Sequence, residues 1–191
     1  MIRRESLLPL EAYARERNAF RARVMAHKKD RTVALGPNVT LLFEDELTIR
    51  YQVQEMLRIE RIFEEEGIQH ELDAYNPLVP DGNNWKATML IEYPDAEERR
   101  VMLAKLKGIE RNVWLQIEGA QRVQAIADED LERENEEKTS SVHFLRFELD
   151  PASRARLRDG AALLMGIEHP QYMHSLKVGA PTVAALLKDL A

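Results

Sequence analysis

The sequence predicts an α+β fold: a mostly antiparallel or mixed sheet, helices packed mainly on one side of it, and one long central helix. Three observations carry this reading. Trp85 to Tyr93 alternates, with Ala87, Met89, Ile91 and Tyr93 on one face, and similar period-two runs recur along the chain. Gly36-Pro37-Asn38 and Glu118-Gly119-Ala120 are short turn signals between such runs, which makes hairpins. Single helices interrupt the strands without the regular alternation that a doubly wound parallel sheet needs. Hydrophobic residues are 45% and charged residues 31% of 191, enough for a sizeable core under a wet surface. We expect one domain over 1–191, helical over 1–75 and strand-rich over 85–191.

Taken in order, the first element is a helix over 10–29. Pro9 and Glu11 mark its start, and Tyr13, Phe20, Val24 and His27 fall on one stripe. Thr32–Leu35 and Val39–Phe43 form the first hairpin. Glu44 to Gly67 reads as the strongest helix, with an acidic first turn and Gly67 where a C-cap belongs. Around Met56, its apolar arc holds Ile49, Val53, Ile59 and Phe63, while Arg50, Gln54 and Arg58 face water. Ile68 to Tyr75 continues as a short helix, and the Pro- and Asn-rich stretch from Asn76 to Asn84 is a loop. After the strand at 85–93, Asp95-Ala96-Glu97-Glu98 opens a helix that Gly108 closes. Asn112–Ile117 and Gln121–Ala127 make the second hairpin. Thr139 to Leu149 is a long strand with apolar residues on both faces, hence central. A short helix from Pro151, a strand over Ala161–Ile167 and a last helix from Pro181 complete the chain.

Absences narrow the function. Cys is missing altogether, which excludes disulfides, thiol nucleophiles and clusters held by this chain's own thiolates. No apolar stretch is long enough to span a bilayer, and Arg3-Arg4 lacks the apolar run of an export signal, so we expect a cytoplasmic protein. No phosphate-loop, G-x-S-x-G or H-E-x-x-H pattern occurs. The net charge of −6 is uneven: residues 1–31 hold nine Lys/Arg against four Asp/Glu, ending at Lys28, Lys29 and Arg31. That basic end is the one feature favouring nucleic acid, but no aromatic platform is visible beside it, so a solvated helix face is the better reading. Asp128 to Glu137 carries seven acids and one Arg and reads as an exposed loop or short helix; a solvated surface is the better reading, and a contact for a basic partner is the alternative.

Buried polar groups are the remaining candidates. Gln52 and Glu60 fall inside the apolar arc of the long helix, and a buried carboxylate must be paired or hold a ligand. His143 and Arg146 lie on the central strand and point to opposite faces, so each needs its own partner; Glu60 is one choice. His169 and His174, with Glu168 adjacent, are the one group resembling a metal site, although a His-Pro turn is the commoner explanation of such a pattern. Leu57 and Ile62 widen the apolar arc of the long helix, which makes a homodimer plausible.

Several blocks together carry a resemblance. Ala34-Leu35-Gly36-Pro37-Asn38, Phe43-Glu44-Asp45, the run from Tyr51 to Glu60, Asp73-Ala74-Tyr75-Asn76-Pro77 and the run from Lys138 to Phe147 resemble the bacterial domain of unknown function family 3501. The resemblance extends from about Leu7 to about Leu190 and implies one domain. It implies no activity, cofactor or catalytic residue. Members are often encoded beside a rubrerythrin-like protein and an iron–sulfur protein, which implies an accessory role in an iron-dependent redox or peroxide-defence module. A metal-binding protein or enzyme using a Glu/His/Arg pocket is the alternative, and nucleic-acid binding through the first helix is the third.

Overall fold

The computed structural model describes residues 1–130 and 132–191, in two compact units. The first unit comprises Met1–Asp30 and Glu44–Pro80; the second comprises Arg31–Phe43 and Asp81–Ala191. The early hairpin therefore belongs with the later strands and not with the helices that flank it in sequence.

The first unit is helical. Helix α1 (Leu10–Lys29) buries Tyr13 and Val24. Helix α2 (Glu46–Glu60) starts at Asp45, whose carboxylate accepts from Thr48 N at 3.0 Å while Thr48 Oγ1 accepts from Asp45 N at 2.9 Å. Helix α3 (Glu65–Tyr75) packs its Ile68 and Leu72 with Ile49, Val53 and Leu57 of α2 and with Ile2 and Leu7. The single long helix expected from Glu44 to Gly67 is thus corrected to two. Arg61 adopts the left-handed conformation at φ 54°, and Ile62 N reaches back to Leu57 O at 2.9 Å, closing the helix by a 6→1 bond. Gly67 is no C-cap but an interior residue of α3. A Cβ there would lie 2.7 Å from Ile62 Cγ2, so glycine lets the returning chain pack closely. Gly67→Ala is expected to destabilise the protein by about 1–3 kcal/mol, read from urea unfolding.

The buried arc of α2 is also rotated toward Leu57. Gln54, expected in water, is 1% exposed; its side chain accepts from Leu8 N at 2.6 Å and donates to Leu8 O at 3.3 Å. Ile59 and Phe63, expected in the core, are exposed. Of Leu57 and Ile62, on which the homodimer expectation rests, Leu57 is buried in the unit's own core and Ile62 is partly buried against it.

The second unit holds two antiparallel sheets where one was expected. The first sheet has order β1-β2-β3-β7-β6, built from β1 (Thr32–Ala34), β2 (Val39–Phe43), β3 (Asn84–Ile91), β6 (Ile126–Ala127) and β7 (Val142–Glu148). The second has order β5-β4-β8-β9, built from β4 (Val113–Ile117), β5 (Arg122–Gln124), β8 (Leu163–His169) and β9 (Tyr172–Lys177). Alternation supplies their common core: Val39, Leu41 and Phe43 from β2 share one cluster with Val113, Leu115 and Ile117 from β4 and Leu163, Met165 and Ile167 from β8. Helices α4 (Ala96–Lys105), α5 (Pro151–Arg158) and α6 (Ala180–Leu187) add Leu103, Leu157 and Leu186 to it. The expected strand at Gln121–Ala127 divides at Ala125, its first half pairing in the second sheet and its end in the first. Only one face of β7 is buried, with His143, Leu145 and Phe147; Val142, Phe144 and Arg146 on the other are half-buried.

Two contacts fix this unit's ends. Gly36, at φ +76°, turns the early hairpin under β9, where a Cβ would lie 2.5 Å from the His174 ring. Tyr172 Oη donates to Leu35 O at 2.6 Å and accepts from Asn38 N at 3.0 Å. Arg31, read from sequence as the end of a basic patch, is 1% exposed. Its Nε donates to Phe43 O at 2.9 Å and its guanidinium pairs with Asp189. Among the described residues no helix is long and apolar enough to cross a membrane.

Candidate functional site

The densest polar constellation grows from the end of β6. Ala127 pairs with Leu145, and Asp128 follows with a left-handed backbone at φ 49°. That turn aims the Asp128 carboxylate back at β7. Its Oδ1 accepts from Phe144 N at 2.9 Å, and its Oδ2 lies 2.5 Å from Nδ1 of His143. His143 is fully buried at 0% exposure. Its Nε2 faces Ser140 O at 3.0 Å and Thr139 Oγ1 at 2.9 Å. Both ring nitrogens are therefore engaged, and neither is left for a substrate proton or a metal. The ring ties the two ends of the segment 128–140 to the sheet. Arg133 lies 3.3 Å from Asp128 Oδ1 and stacks 4.6 Å from the centre of the Phe144 ring.

Beside this tie opens a cleft of about 330 Å³, lined mainly by Glu110, Arg111, Asp128, Asp130, Glu132 and Arg133. Some of its carboxylates are occupied. Glu134 Oε2 accepts from Gly108 N at 2.7 Å, and Glu129 is held by Arg146 at 2.7 and 2.8 Å. The Arg146 guanidinium pulls the Glu129 carboxyl below the usual range, and Glu129 in turn raises Arg146. Glu110 differs. It sits in the 3₁₀ turn Ile109–Asn112 and is 2% exposed. Oε1 lies 3.4 Å from Arg111 Nε, while Oε2 is buried with no hydrogen-bond partner among the described residues. A buried carboxylate oxygen without a donor is costly, and such groups call for an explanation.

The residues singled out from sequence fall as follows. Glu60 is exposed, because it is the last residue of α2 and extends beyond the core it was expected to enter. Gln52 is half-buried, and the buried amide of that helix is Gln54. His143 is buried as expected, but its partner is Asp128 and not Glu60. Arg146 is half-buried and pairs with Glu129 and Glu148. His143 and Arg146 do not share a pocket: their side chains leave β7 on opposite faces and take different partners. The proposed ligand trio is also dispersed. Glu168 pairs with Arg122 at 2.7 Å, His169 Nε2 faces Lys107 O at 3.0 Å, and His174 lies against Tyr172 with ring centres 4.6 Å apart and planes tilted by 54°. The turn between His169 and Tyr172 joins β8 to β9, so these histidines serve a hairpin. Among the described residues, no three His, Asp or Glu side chains are grouped so that they could hold a metal ion.

Glu110 was missed by sequence reading. The signal available was an acid between two apolar-anchored turns, Gly108-Ile109 and Asn112-Val113, which is indistinguishable from a surface acid without the fold.

Comparison with known proteins bears on the whole chain. No curated protein matches it. A crystal structure described as a novel protein of unknown function from Burkholderia pseudomallei is 55% identical to it, with a TM-score of 0.94, and the match covers 100% of this chain and 99% of that one. A family model described as a protein of unknown function, DUF3501, matches residues 1–190. Both span the two units described above, and the chain belongs to that family.

Proposed function

We propose that this chain is a cytoplasmic accessory protein that binds a protein partner, receiving a Lys or Arg side chain of that partner in the cleft beside Asp128. The observation that carries the reading is the buried Oε2 of Glu110, without a hydrogen-bond partner among the described residues, in a cleft where acids outnumber bases. A cationic head would supply the missing donor, and the surrounding carboxylates would steer it. A catalytic use of the cleft has less support. Its lining has no hydroxyl nucleophile, and the adjacent histidine has both nitrogens engaged. The rubrerythrin-like and iron–sulfur proteins that the family resemblance implies are the first partners to try; with no Cys here, any cluster would be held by the partner.

Calorimetric titration of the purified chain with each of those proteins tests this. The expected result is saturable binding that weakens about tenfold or more in Glu110→Gln, since a charge-assisted hydrogen bond is lost. The same variant should unfold at an equal or higher urea concentration than the wild type, because it removes an uncompensated buried charge. Unchanged affinity in Glu110→Gln, or loss of stability without loss of binding, would assign Glu110 a purely structural role. Failure of both proteins to bind would remove the redox-module reading.

A further inference from the structure

A second cleft lies in the first unit, between α1 and α2, and its chemistry is opposite in sign. Its volume is about 280 Å³, and its lining includes Ser6, Glu16, Phe20, Arg23 and Arg50. Phe20 stacks on Tyr51 with ring centres 6.0 Å apart and planes at 30°, and Tyr13 meets its edge at 5.9 Å. Two guanidinium groups share the Phe20 ring, Arg23 at 4.9 Å and Arg50 at 5.8 Å from its centre. An aromatic platform therefore does accompany the basic helix, assembled from two helices and so invisible in the sequence of one.

We propose that this cleft binds the phosphoryl group of a small phosphate monoester between Arg23 and Arg50. Neighbouring arginines set the contrast: Arg17 and Arg58 both reach Glu55, at 2.7 and 3.2 Å. Among the described residues neither Arg23 nor Arg50 has a carboxylate within ion-pair distance, and Arg50 Nε is buried with no hydrogen-bond partner. Two like charges on one ring, one with an unmade buried hydrogen bond, are a complementary surface for an anion. A carboxylate offers two oxygens, which one planar guanidinium satisfies. Two guanidiniums with the Ser6 hydroxyl nearby call for three acceptor oxygens and a charge nearer −2, which a phosphoryl group supplies. The volume limits the ligand to a small body. Glu16, in the same lining, opposes the anion and holds the affinity down.

Calorimetry and phosphorus NMR with phenyl phosphate as probe test the assignment. Saturable binding is expected, falling about tenfold or more in Arg50→Gln and in Arg23→Gln, and tightening about threefold in Glu16→Gln. Glu16 is exposed, so its variant reads the site without threatening the fold. Inorganic phosphate binding as tightly as phenyl phosphate would make free phosphate the ligand and supports the site; the reverse preference assigns an organic monoester. Benzoate binding as tightly as phenyl phosphate would overturn the phosphoryl assignment. So would wild-type affinity in Glu16→Gln and Arg50→Gln together, or no saturable binding at millimolar probe. An oligonucleotide bound far more tightly than phenyl phosphate, with steep salt dependence, would replace a small ligand by nucleic acid.

Discussion

Replacing His143 with alanine is expected to cost about 3–5 kcal/mol of stability, from the cavity where a buried ring stood and from the buried carboxylate left without that partner. The ring is wholly buried, and its removal strands the Asp128 carboxylate, whose side chain is 10% exposed. Arg133, 3.3 Å away, offsets part of that loss. Three bonds disappear together, to Asp128, Thr139 and Ser140, so the segment 128–140 loses its side-chain tie at both ends, while Phe144 N still donates to Asp128 Oδ1 and Thr139 N to Leu103 O. Urea unfolding measures the first effect. Limited proteolysis measures the second, with new cleavage expected between 128 and 140. Thr139→Val removes one bond only and should cost about 1 kcal/mol. Equal losses in the two variants would mean that the bonds to Asp128 and Ser140 and the volume of the ring add nothing to stability.

Acid should weaken the first unit through Glu55. That carboxylate takes a two-point grip from Arg17, Nε to Oε1 at 2.7 Å and Nη2 to Oε2 at 2.9 Å, and also accepts from Tyr13 Oη at 2.7 Å and Arg58 at 3.2 Å. Those donors, Arg17 foremost, hold its pKa at about 2 against an ordinary 4.5. Burial and the same carboxylate push the Tyr13 phenol upward. Because the folded value is depressed, the contribution is full above pH 4.5 and is lost as pH falls toward 2. The difference corresponds to about 3 kcal/mol. Glu55→Gln should therefore be less stable than the wild type by that order at pH 7, and the gap should close as the pH approaches 2. Urea midpoints measured from pH 7 to 2 check this, and a constant gap across that range would remove the electrostatic explanation.

What sequence reveals here follows from where the determining contacts lie. Helix α1 and the early hairpin were legible because local residues set them: Pro9, the core stripe, and Gly36-Pro37-Asn38 between two alternating runs. The break between α2 and α3 was hidden because Arg61 makes the left-handed cap without glycine, while Gly67, the residue that looked like the cap, answers to Ile62. Strand β9 was missed because Met173, His174 and Ser175 are all exposed on an edge and show no alternation. His143 could be recognised as a polar group on a buried strand face. Its partner could not, since Asp128 stands 15 residues away at the head of an acidic run that looked wholly solvated. Arg31 misled for the same reason: its counter-ion, Asp189, is almost the whole chain away.

The interleaving of the two units governs what can be cut and in what order the chain can fold. A fragment ending at Pro80 carries β1 and β2 without β3, the strand that pairs Val39 to Phe43 with Ile91 to Ala87. A fragment starting at Asp81 lacks those two strands and leaves Asp189 without Arg31. Neither half is a clean gene segment. On the ribosome the helices of the first unit are complete once Pro80 has emerged, while the hairpin excluded from them waits, one edge unpaired, until β3 is synthesised a few seconds or less later. The helical unit thus matures with a sticky ribbon looped out of its middle, and the chain's exposure to misassembly is concentrated in that interval.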